Sequence, residues 1–419
     1  MPAVEIRVPG DKSIAHRALI LGALAEGESV IDEVPAGQDV RSTESCLQDL
    51  GVDIDHAGGM RRVQGAGPGA WRSPARPLDC QNSGTTMRLL TGVLAGSAIT
   101  ATLTGDASLR RRPMARVVDP LRAMGARIEL RNGTPPLRVE GTPLSGGRHR
   151  LPVPSAQVKS ALLLAGLLAT GETVVEEPVQ TRDHTERLLR AMGARLSATG
   201  TVVRVEALRG GLRPLRLAIP GDFSSAAFWF GAAAMRPGAC VRVVDVGLNP
   251  SRTAFLWMLR AMGAEILIEA AAEGAVEPSG RVTVTGAPLR AIAIDGPQVA
   301  AAIDEIPILM VVATQAAGTT SITGAAELRV KESDRLRAMA DGLRRMGAMV
   351  EEFPDGVHVE GPTRLRPALI DAVGDHRVAM ALAIAGLSAE SPTQIVGAES
   401  ADVSYPGFFQ ELERVASAS

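Results

Sequence analysis

Apolar and polar side chains alternate over Val4-Glu5-Ile6-Arg7-Val8, the period-two signature of a half-buried strand. Arg127-Ile-Glu-Leu130 repeats the pattern directly after Leu121-Arg-Ala-Met-Gly-Ala126, a phrase that reads as a helix end closed by a glycine cap. The phrase recurs at 189–194, at 259–264 and as Leu343-Arg-Arg-Met-Gly-Ala348, with a weaker copy in Leu47-Gln-Asp-Leu-Gly-Val52. Successive copies stand 74, 68, 70 and 84 residues apart, and Leu412-Glu-Arg-Val-Ala416 falls where a sixth is due. A second pattern interleaves with it: a polar start, an alanine- and leucine-rich helix, a turn and a β-branched strand. Its markers Ser13, Ser83, Ser155, Ser224, Asp304 and Asp375 are spaced by 70, 72, 69, 80 and 71 residues. Six copies of one α/β unit, each with two helices and several strands, therefore account for the chain.

The polar starts have a chemical meaning. A helix N-terminus offers free N–H groups and the positive end of the dipole, which together make an anion site. Any one start could be an ordinary cap, but six such starts carrying Lys, Arg, Ser, Thr, Gln and Asn point to a ligand with more than one phosphate or carboxylate.

Composition narrows the classes. The 419 residues suggest two or three domains, and 46% hydrophobic residues supply a large core. A formal charge of −2 and 3% aromatic residues argue against nucleic acid as a partner. Cys46, Cys80 and Cys240 lack any disulfide or metal-ligand spacing, which fits a reducing compartment. The stretch before Pro9 lacks the apolar core of a signal peptide, and the run near 161–168 is too short to span a bilayer. The expectation is a cytoplasmic protein without a membrane partner.

Lysine occurs only at 12, 159 and 331, against 41 arginines. A high-GC coding bias accounts most simply for the imbalance. Where arginine is the default cation, a surviving lysine can mark a position that needs a compact ammonium. No phosphate-binding P-loop, dinucleotide fingerprint, nucleophile elbow or metal spacing is present, so neither a metal nor a redox cofactor is expected. What remains is anion clamps with acid/base candidates. Asp304, Lys331 and Glu332 form a plausible proton-transfer set, although Lys331-Glu332-Ser333-Asp334-Arg335 read alone could be an exposed charged helix. Arg112, Arg335 and Arg377 could each grip a carboxylate or phosphate, or lie on the surface like most arginines.

These stretches resemble the EPSP synthases, the 3-phosphoshikimate 1-carboxyvinyltransferase family. The resemblance rests on Pro9-Gly-Asp-Lys-Ser-Ile-Ala-His-Arg-Ala18, Asn82-Ser-Gly-Thr-Thr-Met-Arg-Leu89, Gly105-Asp-Ala-Ser-Leu-Arg-Arg-Arg-Pro-Met114, Ser155-Ala-Gln-Val-Lys-Ser-Ala161 and Arg182-Asp-His-Thr185. It continues through Pro220-Gly-Asp-Phe-Ser-Ser-Ala-Ala227, Asp304-Glu-Ile-Pro307, Glu327-Leu-Arg-Val-Lys-Glu-Ser-Asp-Arg335, Asp375-His-Arg377 and Ser404-Tyr-Pro-Gly407, so it covers essentially the whole chain.

The resemblance implies a two-domain inside-out α/β barrel of six βαβαββ repeats, three per domain about a pseudo-threefold axis. It implies a discontinuous domain of residues 1–11 with 222–419, a second of 12–221, an active site in the cleft between them, and a sixth repeat split between the termini. The implied reaction moves the enolpyruvyl group of phosphoenolpyruvate to the 5-hydroxyl of 3-phosphoshikimate, with no cofactor, in a monomer. Carried over by motif, Asp304, Glu332, Lys331 and Lys12 would be catalytic. Lys12, Ser13, Arg17, Ser155, Ala156, Gln157, Arg182, Asp304 and Lys331 would hold 3-phosphoshikimate. Lys12, Gly84, Arg112, Gln157, Arg335 and Arg377 would hold phosphoenolpyruvate, with Asn82 in support and Lys159 bracing a phosphate or helix start. Departures include Ala156, Glu327 and the absence of a lysine just before Tyr405, which some members carry. The sister transferase acting on UDP-N-acetylglucosamine fits less well, because neither Cys46 nor Cys80 occupies its reactive-cysteine loop and Lys12 is followed by Ser13 rather than Asn.

Overall fold

The computed structural model describes residues 3–271 and 274–418. The ends of the expected domains at Met1 and Ser419 lie outside the described residues. The chain divides into two compact units, one comprising the chain up to Pro9 with the part from Pro220 onward, the other Gly10–Ile219. Each is described by itself.

Within Gly10–Ile219 the second repeat shows the plan. Its strands Leu78–Asp79, Thr100–Thr104, Thr134–Glu140 and Arg127–Arg131 lie side by side in that order, the first pair parallel and the rest antiparallel. Leu78, Leu103, Leu137, Val139 and Ile128 are buried on one side of the sheet, as the alternation requires. Between the strands run two helices of different character. Gly84–Gly96 is almost wholly buried, while Ala115–Ala123 buries one face through Val117, Val118 and Leu121. The same pairing holds for Lys12–Leu24 with Gln38–Asp49 and for Ala156–Leu168 with His184–Ala191. Helix-inside, sheet-outside follows directly: an apolar helix must be covered all round, and a two-faced sheet can meet water. Gly92 permits the tight crossing of two inner helices, because a Cβ there would lie 2.3 Å from the Ala161 carbonyl oxygen.

The other unit repeats the plan with inner helices Phe223–Ala234, Ile306–Ala313 and His376–Gly386, which pack against one another, and outer helices Ala254–Met262, Arg335–Arg345 and Phe408–Ala418.

The recurring glycine phrase is a helix stop. Gly51, Gly125, Gly193, Gly263 and Gly347 all have φ between 88° and 116°, a conformation costly for any residue with a Cβ. In each copy the next residue's N–H bonds back to the leading leucine's carbonyl, for example Ala126 to Leu121 at 3.1 Å and Ala348 to Leu343 at 2.9 Å. The arginine of the phrase ties the helix to the strand that follows: Arg122 donates to the Ile128 carbonyl, Arg260 to Ile266 and Arg344 to Val350.

One detail differs from the expected repeat division. The N-terminal strand Val4–Arg7 pairs in parallel with Cys240–Gly247 and so completes the fourth repeat, while Arg216–Ala218 pairs with Glu26–Asp32 and completes the first. The sixth repeat is not shared between the termini. It has its two helices and the short strand pair Leu369–Asp371 and Gln394–Val396, and no closing hairpin among the described residues. Each sheet needs a leading strand parallel to its second, and the two crossings of the chain supply it to repeats one and four. No helix of the described residues is long and apolar enough to cross a membrane.

Candidate active site

In Gly10–Ile219 the inner-helix starts are tied to one another by their side chains. Asp11 caps Lys12–Leu24, accepting from the Ile14 N–H at 2.9 Å, and Lys12 extends its ammonium to Asp39 at 2.8 Å. One turn on, the buried Arg17 donates to Thr185 Oγ1 at 2.8 Å, to Ser160 Oγ at 2.9 Å and to the Ser13 carbonyl at 2.8 Å. Ser13 Oγ accepts from Arg182 Nη1 at 3.3 Å. Ser155 caps Ala156–Leu168, and the Ala156 carbonyl accepts from Ser160 Oγ at 2.6 Å. Ser13, Arg17, Ala156 and Arg182 thus lie on one connected network, with Ser155 capping the helix that carries Ala156 and Ser160.

A second network surrounds the start of Gly84–Gly96. Arg88 Nη1 donates to Gln157 Oε1 at 2.7 Å, and Gln157 Nε2 to Thr85 Oγ1 at 2.8 Å. Arg112 donates to Asn82 Oδ1, and Asn82 Nδ2 to Asp106 at 2.6 Å. A Cβ on Gly84 would lie 2.6 Å from Arg88 Nη1 and 3.3 Å from Arg112 Nη1, so two guanidiniums close over the first turn of the Ser83-capped helix. Two cations beside the positive end of a helix dipole make an anion seat.

In the other unit the acid/base candidates meet. Arg335, only 2% exposed, reaches Asp375 at 2.9 Å, Asp304 at 3.3 Å and Glu332 in a short contact. Arg377 donates to the Asp304 carbonyl at 3.1 Å and stands 3.5 Å from its carboxylate. Asp375 caps His376–Gly386 through the Arg377 N–H and also accepts from Ser333. Residues 331–334 form a bend between Ala326–Val330 and Arg335–Arg345, not the exposed charged helix that the sequence also allowed. Lys331 is half-buried there, and its pKa is lowered. Burial is the main cause and Arg335 adds to it, against the opposing pull of Asp304, Glu332 and Glu327.

Lys159 pairs with Glu177 at 2.9 Å and with Glu186, in the first turn of His184–Ala191, at 2.8 Å. Arg88, Asp39, Thr185, Ser160 and Asp375 were not singled out as site residues from the sequence. Arg88 carried a signal, since i+4 from Gly84 on a helix places it on the face of that first turn. Among the described residues no group of three or more His, Cys, Asp or Glu is placed to hold a metal ion.

His16, fully buried between Lys12 and Arg17 along the first turns, meets Thr43 Oγ1 at 2.7 Å. Its pKa falls well below 6.5, chiefly through burial and then through Lys12 and Arg17. A depressed folded pKa leaves stability intact above 6.5. As pH drops below that value the unfolded chain binds a proton that the folded one refuses, and stability is lost. Unfolding free energy should therefore decline between pH 6.5 and 5 with a slope approaching about 1.4 kcal/mol per pH unit, and the melting temperature should fall with it. His16→Gln should flatten that part of the curve in calorimetry. An identical slope in both proteins would rule His16 out as its source.

The fold is shared with the enolpyruvyl transferase NikO from Streptomyces tendae at a TM-score of 0.78 and 19% identity, over 99% of this chain and 94% of that one. It is shared more closely with EPSP synthase from Acinetobacter baumannii, at a TM-score of 0.86 and 41% identity over 98% of this chain and 95% of that one. A 3-phosphoshikimate 1-carboxyvinyltransferase from Gloeobacter violaceus is 53% identical over 417 residues, 98% of this chain and 96% of the relative. One from Thermus thermophilus is 50% identical over 418 residues, 99% of this chain and 96% of the relative. Residues 3–412 match the family described as EPSP synthase (3-phosphoshikimate 1-carboxyvinyltransferase), and the chain belongs to that family.

Proposed function

We propose that the protein transfers the enolpyruvyl group of phosphoenolpyruvate to the 5-hydroxyl of 3-phosphoshikimate, releasing phosphate, as a step in aromatic amino-acid biosynthesis. Family membership over nearly the whole chain supports the reaction. The observation that carries the chemistry is the convergence of Arg335 and Arg377 on Asp304, beside Lys331 and Glu332.

The reaction requires the 5-hydroxyl oxygen to attack C2 of the enol while that hydroxyl loses a proton and C3 gains one. Collapse of the tetrahedral adduct then returns the C3 proton and breaks the C2–O bond to phosphate. Asp304 is assigned the hydroxyl proton. Lys331 and Glu332 are assigned the C3 proton in both directions, and a lysine with a lowered pKa releases its proton more readily than an ordinary one. The three groups share their protons as a set. Arg335, Arg377, Gly84 and Arg112 are assigned the phosphate and carboxylate of phosphoenolpyruvate. Ser13, Arg17, Ser155, Ala156, Gln157, Arg182, Asp304 and Lys331 are assigned 3-phosphoshikimate, with Lys12 and Gln157 serving both substrates and Asn82 orienting Arg112. The reading carries with it a cytoplasmic location and a monomeric state.

Phosphate release by purified protein tests the reading. Release should require phosphoenolpyruvate and 3-phosphoshikimate together. Release with UDP-N-acetylglucosamine in place of 3-phosphoshikimate would reassign the acceptor, and none with either would remove the activity.

A further inference from the structure

We propose that Lys159 is a positioning residue for 3-phosphoshikimate, acting by fixing the loop that carries Arg182. The inference rests on the preceding assignment of Arg182 and Arg17 to that substrate.

Lys159 projects from the first turns of Ala156–Leu168 and is 1% exposed. Its ammonium has three donors and meets three acceptors: Glu177 at 2.9 Å, Glu186 at 2.8 Å and the Thr181 carbonyl at 3.4 Å. Those acceptors are not neighbours in sequence. Glu177 opens the loop 177–183 just after the strand Glu172–Glu176, Thr181 lies within the loop, and Glu186 sits in the first turn of His184–Ala191 beyond it. One cation therefore pins both ends and the middle of a single loop. The Glu177 carboxylate, held by Lys159, in turn accepts from the Thr181 N–H at 3.3 Å and from the Thr181 hydroxyl. Arg182 is the next residue, and its Nη1 donates to Ser13 Oγ. Thr185, one residue before Glu186, accepts from Arg17. Two proposed substrate cations are thus set by a segment that Lys159 clamps.

Stability alone explains the cluster poorly. Two carboxylates and one ammonium are buried at 1–2% side-chain exposure, and Glu186 Oε2 has no hydrogen-bond partner among the described residues. Apolar side chains of the same volume commonly do as well or better in such a place. Burial opposes the charge on Lys159, yet Glu186 and then Glu177 outweigh it and raise its pKa, so the clamp stays cationic throughout the working range. The geometry also explains why a lysine stands here in a chain that otherwise uses arginine. Three acceptors around a point suit a tetrahedral ammonium and not a planar fork.

Four variants test this: Arg182→Ala, Lys159→Met, the two combined, and Thr181→Val, each checked for folding by circular dichroism. Calorimetry of 3-phosphoshikimate binding should show about 10-fold or greater weakening for Arg182→Ala and for Lys159→Met, the scale of one lost hydrogen bond to a charged group. The double variant should fall well short of the product of the two, because the lysine acts through the arginine. For Lys159→Met the KM for phosphoenolpyruvate and kcat at saturation should stay within about threefold, a split that general loosening would not give. A folded Lys159→Met variant with unchanged affinity, or fully multiplicative losses in the double variant, overturns the proposal. If Lys159→Met does not fold, Thr181→Val decides, since it removes the Thr181 hydroxyl's bond to the Glu177 carboxylate that Lys159 holds: weaker binding supports the proposal and unchanged binding overturns it. Unchanged affinity in Arg182→Ala itself refutes the substrate assignment and this inference with it, whereas failure of Lys159→Met alone leaves that assignment standing.

Discussion

Asp304→Asn should lower kcat by roughly 10²–10⁴-fold, the contribution expected of a positioned acid/base group, while 3-phosphoshikimate still binds in calorimetry. Asparagine keeps the shape and can still accept from Arg335 at Oδ1, so the arginine is not left without a partner there. What it loses is basicity. The wild-type carboxylate stands between two guanidiniums, at 3.3 Å from Arg335 and 3.5 Å from Arg377, both of which favour its charged form. Such a group is fixed in place by its two cations. Removing its charge leaves Arg335 and Arg377 less neutralised, so phosphoenolpyruvate affinity should hold or improve while turnover collapses. That opposition separates loss of chemistry from loss of binding. A variant with kcat within threefold of the parent would remove Asp304 from the proton transfers and pass the role to Glu332 or Lys331.

The repeated architecture was legible because it rests on local rules. A left-handed glycine after an amphipathic helix is needed wherever that helix must stop and return as a strand, so the same phrase recurs at Gly125, Gly193, Gly263 and Gly347. The polar inner-helix starts were legible for the same reason, because Asp11, Ser83, Ser155, Asp222 and Asp375 each satisfy backbone donors two or three residues on. Pairings between distant segments were not legible. Nothing local says that Val4–Arg7 joins a strand more than two hundred residues away, because parallel pairing leaves no turn signal. Nor could spacing show that the side chains of Cys46 and Cys80 meet in the core, where burial first of all pushes the Cys80 thiol well above its usual pKa. Lys159 was conspicuous by its rarity, but its partners Glu177 and Glu186 become visible only when the helix and the loop are packed together. The bend at 331–334 was ambiguous for a related reason: a run of charges reads the same on a solvated helix and around a buried arginine.

That buried arginine should be the most sensitive position for stability. Arg335→Met is expected to cost about 3–5 kcal/mol, the range for removing one partner of a buried ion pair. Its guanidinium faces Asp375, which is fully buried, and also Asp304 and Glu332, which are largely so. Methionine fills much of the volume and leaves three carboxylates facing one another. Asp375 is the worst placed, since its other side-chain contacts are the Ser333 hydroxyl and the Arg377 N–H. The variant should regain stability as pH falls, because carboxylates deprived of their counter-ion bind protons more tightly folded than unfolded. At about 2–4 °C per kcal/mol for a unit of this size, the melting point should drop on the order of 10 °C at neutral pH. Adding Asp375→Asn in the same chain removes the stranded charge and should recover part of that loss. It should not restore phosphoenolpyruvate binding, because the missing guanidinium is itself the proposed ligand contact. Recovery of stability without recovery of binding assigns Arg335 both tasks. Recovery of both would mean that it only held the fold, and a melting point unmoved in the single variant would mean that it did neither.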